Sequence, residues 1–346
     1  MPEESIDHID FEELNRKAIS PPITPHLYTA DPSAHVFNNK IYIYPSHDID
    51  AGDAFDDLGS HFAMEDYHVF SMDDISGDVI DHGMALHVDD VKWAERQMWA
   101  PDANEKNGQY FLFFPAKDYN GIFRIGVAIS DNPHGPFIPK DNPIKDSFSI
   151  DPAVFKDDDG SYYMYFGGIW GGQLQRCRAG VFNGDHPESP TAFLPKDDEP
   201  ALLPYVAKMT DDLLQFDESP KEVEILDENG DLLLAGDNDR RFFEAAWLHK
   251  YNGKYYFSYS TGDTHFICYA IGDNPYGPFT YKGRILNPVV GWTSHHSICE
   301  FKGKWYLFYH DSSLSKGVTH LRSVKIAEIK YNDDGTIQTL EPYRLI

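Results

Sequence analysis

Cysteine is scarce in this chain of 346 residues: there are three, Cys177, Cys268 and Cys299. The number is odd and the spacing matches no metal-ligand pattern, which excludes a disulfide framework and leaves buried or free thiols. Basic residues are few as well, 29 Lys and Arg against 56 Asp and Glu, for a formal net charge of −27. Such a balance repels nucleic acid and anionic membranes and suits a neutral or cationic partner. No apolar run approaches the ~20 residues of a membrane-spanning helix. The opening segment MPEESIDHIDFEELNRKAIS lacks the basic and apolar regions of a secretion signal, so the chain reads as cytoplasmic.

What the chain has in abundance is aromatic residues: 6 Trp, 21 Tyr and 23 Phe. They concentrate in five short segments, KIYIYPS, QYFLFFP, SYYMYFG, KYYFSYS and KWYLFYH. Each follows a turn-like NN, NG, DDG, NG or KG, the signature of a hairpin strand. Tyr-rich alternation of this kind favours strands over helices. Counting back from Ile41, Tyr110, Tyr162, Tyr255 and Trp305 by 10, 8, 11, 11 and 10 residues reaches Asp31, Asp102, Asp151, Glu244 and His295. Each polar residue thus lies near the start of the strand before its hairpin, and the shared register lets all five converge.

The aromatic strands are 69, 52, 93 and 50 residues apart, a period near fifty with two enlarged members. A second repeat falls within it: RIGVAISDNPHGPF and ICYAIGDNPYGPF each read as a third strand followed by a turn into a fourth. Five units of four strands predict an all-β, five-bladed β-propeller over residues 25–346, with residues 1–24 as an N-terminal extension. An insertion near 185–239, rich in Pro, Asp and Glu, accounts for the longest interval. It is expected to hold one short helix around 201–216 and to form a pocket wall, the alternative being a disordered or purely structural insertion. The acidic loop 47–66 lacks the spacing of a calcium-binding loop and reads as solvated.

Asp31 in TADPSAHVF, Asp151 in SIDPAVF and Glu244 in FFEAAWL are each followed by apolar residues that fix the strand against a core. A charge there is costly unless paired, hydrated or used. An Asp-Pro pair alone does no more than begin a turn; three carboxyls in one register argue for a site. One protonated acid, one ionised base and a third group to tune the acid are what glycoside hydrolysis requires. Trp99, in the segment WAPD, is placed to stack on a sugar face; the alternative is a core Trp at a blade junction. SHHSICEF puts His295 and His296 at the axis, where an imidazole serves as a proton-sharing partner or as a ligand to a hydrated Ca²⁺. Arg322 in HLRSVKIAEI reads as a buried guanidinium holding a carboxylate, or else as an outward salt bridge.

With these residues in place the sequence resembles glycoside hydrolase family 43. The resemblance runs from about Pro25 onward and rests on five ordered segments, TADPSAHVFNNKIYIYPSHD, MWAPDANEKNGQYFLFF, SIDPAVFKDDDGSYYMYFGGIWGGQ, EAAWLHKYNGKYYFSYS and SHHSICEFKGKWYLFYH. It implies a propeller of inverting enzymes in which Asp31 is the general base, Asp151 tunes the acid and orients substrate, and Glu244 is the general acid. It further implies a central metal, Ca²⁺ or another divalent cation, approached by His295, and substrate contacts from Arg322, with Trp99 and His296 as further candidate substrate-binding residues. Ser294 stands where the family usually has glycine, and EAAW where EGPW or EGPH is common. Within the family the chain looks most like β-xylosidases that also release α-L-arabinofuranose, acting on neutral pentose oligosaccharides. For an inverting pair the carboxyls are expected to stand about 6.5 to 9.5 Å apart. An endo-acting arabinanase of the same fold and a non-catalytic sugar-binding propeller are the competing readings.

Overall fold

The aromatic hairpins form where the turn residues place them, and each nucleates one antiparallel sheet. The structure, a computed structural model, describes residues 8–344. The first sheet contains β1 (Thr29–Phe37), β2 (Lys40–His47), β3 (Asp66–Met72) and β4 (Ile80–His87) in sequential order. The second contains β5 (Ala94–Arg96), β6 (Asp102–Lys106), β7 (Gln109–Asp118), β8 (Phe123–Ser130) and β9 (Ile138–Pro139), with β5 and β6 both paired to β7. The third contains β10 (Ala153–Lys156), β11 (Tyr162–Phe166), β12 (Tyr205–Lys208) and β13 (Lys221–Glu222). After β14 (Ile225–Leu226) come β15 (Glu244–Tyr251), β16 (Lys254–Ser260), β17 (Ile267–Gly272) and β18 (Phe279–Leu286) in the fourth sheet. The fifth contains β19 (His296–Phe301), β20 (Lys304–Asp311) and β21 (Ser323–Ile329). Strands β1, β6, β10, β15 and β19 neighbour one another in a closed ring around the axis. The fold is a five-bladed β-propeller.

Aromatic faces between adjacent blades supply the core. Phe257 is fully buried and meets Tyr165 of the preceding blade and Phe279 of its own, with ring centroids 5.7 and 5.4 Å apart. Burial of one such side chain contributes about 1.5–3 kcal/mol. The repeated DNP turn has its own physical cause. Tyr44 Oη donates to Pro133 O at 2.5 Å, and Tyr165 Oη donates to Pro275 O at 2.6 Å. In both cases a buried tyrosine of one blade latches the turn of the next, which satisfies a hydroxyl that burial would otherwise penalise.

The ring closes between the first and last blades through the chain ahead of β1. Ile23 N donates to Val324 O, Thr29 N to Arg322 O, and Ile326 N to Ser20 Oγ, so residues 20–29 run along β21. Just before them is the short helix α1 (Phe11–Lys17), capped by Asp10, whose side chain accepts from Glu13 N.

One expectation about the long interval is corrected. No helix spans 201–216; Tyr205–Lys208 is β12, and with β13 it completes the third blade. Leu226 follows into β14, which pairs in parallel with β18 of the next blade. The Pro, Asp and Glu in this stretch mask short strands whose alternation is interrupted by turns.

Candidate active site

At one end of the axis the inner strands begin with backbone that L-residues rarely adopt. Asp31 has φ 49°, Asp151 φ 58° and Ala245, next to Glu244, φ 63°. Bulges interrupt the pairing of β1 between Ala30 and Ser33 and of β15 between Glu244 and Trp247. Left-handed φ at non-glycine residues costs about 1–3 kcal/mol each and persists where the surroundings over-determine it. A bulge re-aims a side chain out of the strand's alternation, and here the strain accompanies carboxyls that line a common cavity with His295 and Arg322.

The three carboxyls occupy different electrostatic environments. Asp31 Oδ1 accepts from Arg322 Nη1 at 2.9 Å, and its Oδ2 accepts from Ser46 Oγ at 2.5 Å. Burial alone would push this carboxyl up, but Arg322, His295, His310 and Ser46 together hold it at about 2. Glu244 is buried, and its Oε1 meets no hydrogen-bond partner among the described residues. Burial, with the nearby charges of Asp151 and Asp31, raises its pKa well above the ordinary carboxyl range. Asp151 is also raised, by burial and by Asp31, although it accepts the Ala245 N–H at 2.8 Å. The cavity therefore sets one carboxyl held in its ionised form, Asp31, beside an Asp151/Glu244 pair in which burial and like charge favour the protonated form. That is the division an acid and a base require.

Arg322 is 2% exposed, and its second partner is Asp48. Nε and Nη2 bind Asp48 at 2.8 and 2.7 Å, and the Arg322 backbone N–H also donates to it. The guanidinium lies over the Phe62 ring at 4.8 Å. Arg322 lines the cavity, but most of its hydrogen-bonding capacity is committed to Asp48, which leaves Nη1 to hold Asp31. The backbone N–H of Asp31 donates to His310 Nδ1 at 2.9 Å, which leaves His310 Nε2 to donate to Thr293 O at 2.6 Å and fixes the neutral tautomer.

His295 Nδ1 stands 3.7 Å from both Asp31 Oδ1 and Asp151 Oδ2. His296 does not line the cavity, contrary to its expected contact with substrate. One residue after His295, at the start of β19, its side chain leaves the cavity side, is 1% exposed, and bonds Ser258 Oγ through Nε2 at 2.6 Å. Trp99 lines the wall but is 9% exposed, with its Nε1 donating to Phe62 O and its ring packed on Phe123. Asp102, the fifth member of the register, is diverted to Ser33 Oγ, His35 Nε2 and Val154 N.

The cavity measures about 980 Å³. Residues 185–239 contribute nothing to its described lining, so the expected pocket wall is corrected. The walls come instead from the β2–β3 loop (Phe55, His61, Phe62), from Trp170 to Gly172, and from Phe243 and Trp292. The acidic loop 47–66 is thus not simply solvated: its tip faces the cavity and Asp48 is buried at its base. Gly171 is required where the two walls meet, because a Cβ there would lie 2.7 Å from Leu58 O. Sequence reasoning missed Ser46, Asp48 and His310. A signal existed for two of them, since Ser46 and His310 occupy the same place in their hairpins, six residues after Lys40 and Lys304.

Comparison with known proteins places this geometry. The model of glycosyl hydrolases family 43 matches residues 21–337. The chain belongs to this family. It is 60% identical over 320 residues to a xylosidase/arabinosidase of Bacteroides ovatus, covering 92% of this chain and 97% of the relative. It is 56% identical over 321 residues to a β-xylosidase of Xylanibacter ruminicola, covering 92% and 98%. Among solved structures, a family 43 β-xylosidase/α-arabinofuranosidase from a compost microbial metagenome, in complex with xylotriose and in a calcium-free form, superposes with TM-score 0.92 at 64% identity, covering 95% of this chain and 99% of that one. A family 43 enzyme of Xanthomonas citri complexed with xylotriose gives TM-score 0.91 at 55% identity, covering 96% and 97%. As a member of this family the chain is a glycoside hydrolase.

Proposed function

We propose that this family 43 hydrolase is an inverting exo-glycosidase that removes terminal β-D-xylose, and also α-L-arabinofuranose, from short neutral pentose oligosaccharides. The observation that carries the reading is that one cavity holds Asp31, bound by Arg322 and Ser46, together with Asp151 and a buried Glu244 whose Oε1 meets no partner among the described residues. In single displacement, Asp31 takes a proton from water, which attacks the anomeric carbon, while Glu244 protonates the departing oxygen. Asp151 keeps the acid's pKa high by its proximity and orients substrate. Aromatic walls at Phe62, Trp170 and Trp292 suit the apolar faces of an uncharged sugar. The names and ligands of the relatives support the substrate class: xylosidase and arabinosidase activities, and bound xylotriose.

The axis also suits a divalent cation. His295 makes no hydrogen bond among the described residues, and burial holds its imidazole neutral, down at about 4, so a ring nitrogen is free to act as a ligand. The reading that His295 holds Ca²⁺ or a related ion is supported by the calcium-free description of the compost relative. A bound dication would favour the ionised forms of Asp31 and Asp151.

Initial rates on 4-nitrophenyl β-D-xylopyranoside and α-L-arabinofuranoside, with chelator or added Ca²⁺, test the proposal. Turnover of the xyloside, weakened by chelation, is the expected result. Arabinofuranoside turnover alone would reassign the enzyme as an arabinofuranosidase, and inertness toward both with hydrolysis of long arabinan would favour the endo-acting reading.

A further inference from the structure

Outside the catalytic cavity, on the first blade, three side chains from two adjacent strands turn toward one point. His47 is the last residue of β2, Asp66 the first of β3, and His68 follows at i+2, on the same face of the strand as Asp66. One ligand atom from each lies within 4.8 Å of the others. His47 Nδ1 is 2.5 Å from Asp66 Oδ1, His68 Nε2 is 3.6 Å from Asp66 Oδ2, and the two imidazoles are 4.9 Å apart. The side chains are 17%, 14% and 16% exposed, sheltered but reachable from solvent.

The surroundings supply a second layer. His68 Nδ1 stands 3.4 Å from Asp81 Oδ1, and the other oxygen of Asp81 is 2.8 Å from His26 Nε2. A ligating histidine ordinarily gives its second N–H to a carboxylate, which fixes the tautomer and strengthens the ligand. Asp81 is in that position relative to His68, with His26 holding Asp81 in turn.

We propose that His47, Asp66 and His68 form a binding site for a divalent transition-metal ion of the Zn²⁺ class, with Asp81 orienting His68. Two imidazoles and one carboxylate favour Zn²⁺, Co²⁺ or Ni²⁺ over Ca²⁺, which prefers an all-oxygen shell. Three protein ligands leave the remaining positions to water. The site has a structural consequence for the enzyme. His47 and Asp66 are the two ends of the β2–β3 loop, which carries Asp48 to Arg322 and Phe55, His61 and Phe62 to the cavity. A metal there ties the loop at its base.

The test is equilibrium dialysis of the full chain against Zn²⁺ in the presence of excess Ca²⁺, with metal content and melting temperature as readouts. One equivalent of Zn²⁺ per chain with a raised melting temperature is expected, together with visible absorption bands when Co²⁺ replaces it. His68→Gln and His47→Asn should each lose that equivalent and the thermal shift, and Asp81→Asn should weaken binding by about 10–100-fold. His295→Ala should still bind it, which separates this site from the axis. If wild type binds no stoichiometric Zn²⁺, or if a folded His47→Asn/His68→Gln double variant binds as wild type does, the cluster is a hydrogen-bonded ladder and the proposal is overturned. Should the double variant fail to fold by circular dichroism, Asp81→Asn decides: unchanged affinity would also overturn it.

Discussion

The two ends of the propeller axis are built from the same five strands and behave differently. At the ends where the inner strands begin, left-handed residues and bulges accompany Asp31, Asp151 and Glu244 around a cavity of about 980 Å³. At the ends where those strands turn into hairpins there is a smaller cavity of about 410 Å³, lined among others by His35, Trp247, His249 and Glu300. There the pairing is regular, as in Phe37↔Lys40 and Phe301↔Lys304, and Lys250 pairs outward with Asp157 and Asp158. Bulged inner strands and buried carboxyls coincide at one end; at the other the left-handed residues, such as Asn38, Asn107 and Lys302, sit in ordinary hairpin turns, and charges such as Glu300 and Asp158 are exposed. The architecture supplies two similar openings, and chemistry has been built into the one whose backbone departs from the ideal strand.

Substitutions at the two ends should differ by orders of magnitude. Asp31→Asn and Glu244→Gln are expected to lower kcat by about 10²–10⁴-fold, whereas Glu300→Gln at the far opening should leave kcat/KM within about twofold. The Glu244→Gln loss should be larger on xylobiose than on the 4-nitrophenyl xyloside, whose leaving group departs without a proton. Comparable losses at both ends would break the comparison.

Next in size is the clamp behind Asp31. Removing one partner of a buried ion pair costs about 3–5 kcal/mol, so Asp48→Ala should show a fall of that order in urea unfolding, with reduced turnover because Arg322 no longer holds Asp31 in place. Gly171→Ala has a smaller expected effect. The added Cβ must displace the Leu58 carbonyl, and a several-fold rise in KM with a nearly unchanged melting temperature would show the two cavity walls moving apart.

The subtlest difference is in pH dependence. Asp31, depressed to about 2, contributes stability present above the unfolded carboxyl pKa and lost as pH falls through about 2. Glu244, raised, contributes stability present below its unfolded value and lost as pH rises through its folded value. Glu244→Gln should therefore raise the melting temperature at neutral pH and lose that advantage below about pH 4. In kcat/KM the acid limb should lie well below pH 4, and the alkaline limb should follow the Asp151/Glu244 pair.

How much of this was legible in the sequence depends on periodicity. The five hairpins and the polar register were visible because each repeat writes the same turn and the same aromatic strand, and Asp31, Asp151, Glu244, His295 and Arg322 all line the cavity they were expected to share. Asp102 shared the register without sharing the cavity, because nearby His35 and Ser33 claim its oxygens. His296 was misread because adjacent strand residues face opposite sides, and the sequence does not say which of the pair faces inward. Asp48 was hidden among exposed acids; only its pairing with Arg322, 274 residues away, distinguishes it. The outer half of the third blade was obscured because β12 and β13 are short and carry a single aromatic residue, Tyr205, in place of the repeated aromatic run.

The most direct test of the account is the anomeric configuration of the first product. Proton NMR during rapid hydrolysis of a β-xyloside should show α-xylose appearing before mutarotation, as attack by an Asp31-activated water on the opposite face requires. β-Xylose as the first product would mean a covalent intermediate, and the assignment of Asp31 as base and Glu244 as acid would fail.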